Sequence, residues 1–224
     1  MTYPKQSLYD DINPNLPDYF TQKTDPNGQS KWTINERLIP RPNWNEYFMA
    51  MAKVTSTRST CSSRPVGCVI TRENRIIVTG YNGAPPGEPH CTDQSHDGKL
   101  YCARRAEKVP DTLKHNFCHS LHAEENALAL ADRLNIAELL EGGTIYITLS
   151  PCEKCIRNLK AHGIVRVYYE LAYNSIDASR DSHWEKMAKE YFEVYEQLTI
   201  SRDSMLKILG SVLEVTSQRH LPSE

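Results

Sequence analysis

The chain reads as an α/β protein whose sheet is covered on both faces. Runs rich in β-branched residues alternate along it with segments of helical periodicity, the pattern of a layered α/β domain. Two of the helical segments are entered through short motifs dense in metal-ligating residues, His122-Ala123-Glu124-Glu125-Asn126 and Pro151-Cys152-Glu153-Lys154-Cys155. The composition is that of an ordinary globular protein. With 224 residues, 39% hydrophobic and 24% charged, the chain can bury one sizeable core, with or without extensions.

Taken in order, residues 1–41 are proline-rich with little apolar periodicity and read as an extended arm. Tyr9, Leu16, Tyr19, Phe20 and Trp32 are its possible anchors to a neighbouring surface. The domain is expected over 42–198. Asn43 suits an N-cap, and Trp44, Phe48, Met51, Ala52 and Thr55 follow helical spacing. Val66–Thr71 and Arg75–Tyr81 predict two strands around a Glu73-Asn74 turn. The second strand enters a stiff loop, Gly80 to Gly87, built from turn formers. Residues 88–120 form a polar, cysteine-containing insertion, long enough to need its own anchor.

A helix is predicted over 122–134, with Ala127, Leu130, Ala131 and Leu134 on one face. A strand follows at 144–150, then a helix at 152–162 stopped by Gly163, then a strand at 164–169. Residues 182–190 read as helix. The stretch 191–198 either extends it or forms a fifth strand, and the alternation of Phe192 and Val194 favours helix then strand. Residues 199–224 read as a helical extension, with Ser201 or Asp203 as its cap. No internal repeat is present.

The two motifs specify a catalytic zinc site. Such a site takes three protein ligands and leaves the fourth position open. His122, Cys152 and Cys155 supply imidazole and two thiolates, donors that suit a tetrahedral Zn²⁺. A Cys-x-x-Cys pair at a helix start turns both sulfurs to one side. Glu124, two residues past the histidine, is placed to move protons beside the metal without ligating it. His-x-Glu alone is weak, since His183-Trp184-Glu185 also fits; Pro-Cys-x-x-Cys is far rarer. Together they form the recognised signature of zinc-dependent nucleobase deaminases. A closed zinc knuckle would use a fourth protein ligand and reserve no carboxylate.

Seven cysteines without a secretory leader read as metal ligands in a reducing, cytoplasmic compartment rather than a disulfide frame. Cys68 lies inside an apolar strand and reads as a small hydrophobe. Cys61, Cys91, Cys102 and Cys118 remain, a full ligand set for a structural zinc that would tie down the insertion. His90, His96 or His119 could replace one of them, and unpaired reduced thiols are the alternative. A net charge of −2 with no basic block disfavours a polynucleotide groove. No stretch of about 18 apolar residues predicts a membrane span.

From Trp44 to Tyr173 the chain resembles the deoxycytidylate (dCMP) deaminase family of the cytidine deaminase superfamily. The resemblance rests on Arg58-Ser59-Thr60-Cys61, Val66-Gly67-Cys68-Val69-Ile70, Gly80-Tyr81-Asn82-Gly83, His122-Ala123-Glu124-Glu125-Asn126-Ala127 and Thr148-Leu149-Ser150-Pro151-Cys152-Glu153-Lys154-Cys155, in that order. It implies a three-layer α/β/α fold with a five-stranded mixed sheet, and zinc-dependent hydrolysis of dCMP to dUMP and ammonia for thymidylate synthesis. It also implies a homo-oligomer, often a hexamer, activated by dCTP and inhibited by dTTP, with the Gly80–Gly83 loop resembling the regulatory region. Some resembling enzymes carry a second zinc from similar cysteine positions.

On this reading the N–H of Ala123 and the carbonyl of Ser150 hold the base edge, and Asn82 bonds the sugar. Arg58, Ser59 and Arg64 are expected to take the phosphate, because guanidinium and hydroxyl groups suit its oxygens. Tyr169 and Tyr173 resemble tyrosines near the site, although Tyr169 also reads as a core residue. Three other functions fit the same residues: a deaminase of dCTP or of both nucleotides, a polynucleotide deaminase, and a non-catalytic zinc-stabilised nucleotide sensor.

Overall fold

Within the stretch that the sequence reads as an extended arm, β1 (Phe20–Thr24) and β2 (Ser30–Ile34) pair as antiparallel strands. A backbone ladder needs no apolar periodicity, and the turn formers Pro26-Asn27-Gly28 lie between the two strands. The computed structural model describes residues 20–24, 26–28, 30–34, 42–93, 95–96, 99–100, 102–110, 118–173 and 178–214. The proposed anchors Tyr9, Leu16 and Tyr19 lie outside these. The chain divides into a main unit, Asn43–Ile200, and a second unit of Met1–Pro42 with Ser201–Glu224.

In the main unit, helix α1 (Trp44–Ser56) starts at Asn43. The Asn43 side chain accepts from the Glu46 N–H, and the Glu46 carboxylate accepts from the Asn43 N–H, a complete capping box. β3 (Gly67–Arg72) and β4 (Arg75–Tyr81) follow as an antiparallel pair. Glu73 and Asn74 both take positive φ, 49° and 57°, the turn that matches strand twist. The described residues of the 88–120 insertion form short pieces: a 3₁₀ turn Cys91–Asp93, the two-residue strands β5 (Ser95–His96) and β6 (Lys99–Leu100), and α2 (Ala103–Ala106).

Then come α3 (Ala123–Arg133), β7 (Thr144–Leu149), α4 (Glu153–Ala161), β8 (Arg166–Leu171), α5 (Ala178–Tyr191) and β9 (Val194–Gln197). The α4 helix ends before Gly163, whose φ of 75° is the left-handed stop that glycine adopts without cost. The undecided 191–198 stretch resolves as helix to Tyr191, then strand.

The sheet order is β4-β3-β7-β8-β9, antiparallel across β4-β3-β7 and parallel across β7-β8-β9. This is the five-stranded mixed sheet that the resemblance implied. Strand alternation then assigns the two layers. Tyr146 points toward α1, packing on Phe48 with ring centroids 5.3 Å apart and stacking on Tyr168. Cys68, Ile70, Ile145 and Ile147 point the other way, onto Ala127, Leu128 and Ala131 of α3 and Ile156 and Leu159 of α4. Cys68 is fully buried there, as a small hydrophobe should be.

The buried stripe of α3 is Ala123, Glu124, Ala127, Leu128 and Ala131, so Leu130 and Leu134 are exposed rather than on the core face. The apolar count drew the stripe toward those leucines, but Ala127 and Ala131 are buried together with Ala123, Glu124 and Leu128 instead. Among the described residues no helix is long and apolar enough to cross a membrane.

In the second unit, Ser201 caps α6 (Arg202–Glu214), accepting at its Oγ from the Ser204 N–H (3.0 Å).

Candidate active site

Both chemical motifs sit at helix starts. His122 and Cys152 are the N-cap residues of α3 and α4, each with extended backbone, φ −72° and −75°. Glu125 fastens the two starts together. Its Oε2 accepts from the His122 N–H (2.9 Å), and its Oε1 pairs with Lys154 of α4. Burial pushes the Glu125 carboxyl up, but the His122 N–H and Lys154 outweigh it and hold the group below its ordinary value. Packing of α3 against α4 and β4 completes the frame.

Across this frame His122 Nδ1 lies 3.6 Å from Cys152 Sγ and 3.5 Å from Cys155 Sγ. The three donor atoms all fall within 4.8 Å of one another, the one such group among the described residues. The set fits zinc in type and in number: one imidazole, two sulfurs, and room for a fourth, non-protein ligand. The sulfurs act as a pair. The S–H of Cys155 and the His122 ring hold Cys152 down to about 4, while Cys155 itself is pushed up by Cys152 and by burial. His122 is raised to about 9, chiefly by its contact with Cys152. Glu124, in the first turn of α3, is only 3% exposed, and burial lifts its carboxyl to about 7 against the opposing pull of His122.

His122, Glu124 and Cys152 open on a cavity of about 380 Å³. Ala123 and Ser150, expected at the base edge, line it. Asn82 lines it too, and is already engaged. Its Oδ1 accepts from Val66 N–H (2.8 Å) and Ser59 Oγ (2.6 Å), and its Nδ2 donates to the Arg64 carbonyl (2.9 Å), leaving one N–H for a ligand.

Of the three expected phosphate groups, Arg64 is on the wall. Arg58 and Ser59 are not, and the Ser59 hydroxyl is spent on Asn82. Tyr169 lies in a neighbouring hollow with Trp184 and Tyr195, packed against the core at a ring distance of 5.0 Å from Tyr195. Tyr173 borders both spaces, its N–H donating to Ser150 Oγ (2.7 Å).

Sequence reasoning missed Arg104, Arg105, Ser63 and Ser120, which also line the cavity. The available signal was the Arg104-Arg105 pair just after Cys102. Cys61, Cys91, Cys102 and Cys118 all reach the same cavity. The Cys91 thiol is raised by burial, eased by Ser120, and raised further by the other three cysteines. Their sulfurs do not close to within 4.8 Å as the His122 group does.

Residues 42–171 match the family model described as the cytidine and deoxycytidylate deaminase zinc-binding region. The deoxycytidylate deaminase of Mycobacterium phage D29 is 39% identical over 136 residues, covering 58% of this chain and 97% of the relative. The deoxycytidylate deaminase of Schizosaccharomyces pombe is 39% identical over 143 residues, which is 64% of this chain but 40% of that larger protein. The crystal structure of the dCMP deaminase of cyanophage S-TIM5 in complex with dCMP and dUMP superposes with a TM-score of 0.52 at 25% identity, covering 71% of this chain and 99% of that one.

Proposed function

The chain belongs to the cytidine and deoxycytidylate deaminase family, and from that membership we propose that it hydrolyses dCMP to dUMP and ammonia. The observation that carries this reading is the buried Glu124 carboxyl beside the His122, Cys152 and Cys155 donors, at the wall of a nucleotide-sized cavity. Zinc held by those three donors supplies the Lewis acidity that makes water nucleophilic near neutral pH.

The chain's own groups do the rest. Glu124 takes one proton of the attacking water and passes it to N3 of cytosine; it then takes the second proton from the hydroxyl newly formed on C4 and delivers it to the amine, which leaves as ammonia while the C4 carbonyl forms. The Ala123 N–H and the Ser150 carbonyl hold the base edge so that C4 faces Glu124. Asn82 offers its remaining N–H to the sugar.

The test is ammonia release by zinc-replete protein supplied with dCMP, dCTP, CMP or deoxycytidine. Glu124→Gln should lower kcat on dCMP by at least about a thousandfold while zinc stays bound. Zinc-bound wild type that turns over none of the four would sink the reading; turnover of dCTP alone would move the substrate up two phosphates.

The same reading carries four further proposals. The protein is a homo-oligomer, on family precedent a hexamer. dCTP activates it and dTTP inhibits it. It works in the cytoplasm, where its seven free thiols stay reduced. Cys61, Cys91, Cys102 and Cys118 hold a second, structural zinc; their shared position on one cavity wall supports this.

A further inference from the structure

The charge on the cavity wall is one-sided. Apart from the cysteines and His122, the charged side chains among the described lining residues are Arg64, Arg104, Arg105 and Glu124. Glu124 is buried beside the metal donors, so the remainder of the wall presents three guanidinium groups and no carboxylate. Neither Arg64 nor Arg105 is in an ion pair.

The arginines are also held in place. Arg104 is half-buried, and its Nη2 lies 3.4 Å from Ser63 Oγ, one residue before Arg64. Its carbonyl accepts from the Val109 N–H (3.0 Å), and the next N–H, of Arg105, donates to the Cys102 carbonyl (2.9 Å). The 88–120 insertion thus brings two guanidinium groups to the wall and fixes the first of them against the 61–64 loop.

We propose that Arg104, flanked by Arg105 and Arg64, is the residue that binds the 5′-phosphate of the substrate, and that it selects nucleotide over nucleoside. This rests on the deaminase reading above and names its specificity determinant. Guanidinium forks match two phosphate oxygens at once, which a single lysine-type charge does not. A monophosphate offers these forks several acceptor oxygens; a nucleoside, ending in a 5′-hydroxyl, offers one. The assignment moves the phosphate contact from Arg58 and Ser59, which are off the wall, to the insertion.

Two measurements on the zinc-replete full chain test it. The first is kcat/KM for dCMP and for deoxycytidine in wild type, Arg104→Ala, Arg105→Ala and Arg104→Lys. Arg104→Ala should raise KM for dCMP about 10- to 100-fold, the worth of a charge-assisted hydrogen bond, and lower the dCMP-to-deoxycytidine ratio by a similar factor. Arg105→Ala should do less, and Arg104→Lys should recover part of the loss. The second is calorimetric binding of dUMP and of deoxyuridine. Wild type should prefer dUMP by at least about tenfold, and Arg104→Ala should lose most of that preference.

An Arg104→Ala protein that keeps its preference for the phosphorylated ligand, or that loses dCMP and deoxycytidine equally, overturns the proposal; so does wild type that binds neither dUMP nor deoxyuridine. The two readings fail separately. Arginine-dependent dUMP binding without turnover of dCMP would leave the phosphate site standing and remove the deaminase. Turnover of dCMP with an unaltered preference in Arg104→Ala would do the reverse.

Discussion

Asn82 shows how one side chain joins local structure to the site. Its amide spans the start of β3 and the loop that carries Cys61 and Arg64, bonding the Val66 N–H, the Ser59 hydroxyl and the Arg64 carbonyl. Its backbone repeats the link: Asn82 N–H donates to the Val66 carbonyl (3.1 Å), and Thr60 N–H donates to the Asn82 carbonyl (3.2 Å). Replacing it with Ala leaves a backbone donor and a backbone acceptor unpaired. Asn82→Ala should therefore lower stability by about 1–3 kcal/mol, seen as a lower urea midpoint, and raise KM for dCMP as the Arg64 rim loosens. An unchanged midpoint would mean that water replaces all three bonds. The sequence singled out Asn82 for a sugar contact; its part in holding the loop emerges only when the 58–66 loop and β4 meet.

At the scale of elements, the site depends on how closely β4 approaches the start of α3. A Cβ built on Gly80 would stand 2.2 Å from the Ala123 carbonyl oxygen and 2.8 Å from Ala127 Cβ, so no other residue fits there without moving backbone. Just beyond it, Gly83 and Leu121 exchange backbone hydrogen bonds (2.9 and 3.2 Å), and Asn126 donates to the Tyr81 carbonyl (2.7 Å). The Gly80–Gly83 stretch thus grips the turn that presents His122 and Glu124. Gly80→Ala should push α3 off the strand, destabilise the fold by about 1–3 kcal/mol or more, and weaken zinc retention in competition with a chelator. A variant with wild-type Tm and zinc retention would show that the strand can shift independently of the site.

At the scale of the molecule, the zinc question becomes one of stoichiometry. Metal analysis should find two zinc ions per chain if the Cys61, Cys91, Cys102 and Cys118 set is filled, and one if only the His122 set is. Chelation should lower Tm by several degrees and re-added zinc should restore it, because metal binding to the folded state adds to folding free energy. A Tm indifferent to chelator would separate the metal from the fold.

What the sequence determined by itself is local. The Asn43 cap, the Glu73-Asn74 turn, the Gly163 stop, the strand alternation, and the placing of His122, Cys152 and Cys155 at helix starts all follow from interactions within a few residues, which periodicity and spacing report. What the tertiary structure alone decided is which distant segments share a wall. The arginines at 104 and 105 reach the cavity, while Arg58 does not, because a long insertion folds back and binds Ser63. The contact face of α3 is likewise set by the sheet it meets, leaving Leu130 and Leu134 outside. Such returns depend on loop closure and on packing between elements far apart in the chain, and no short-range pattern carries that information.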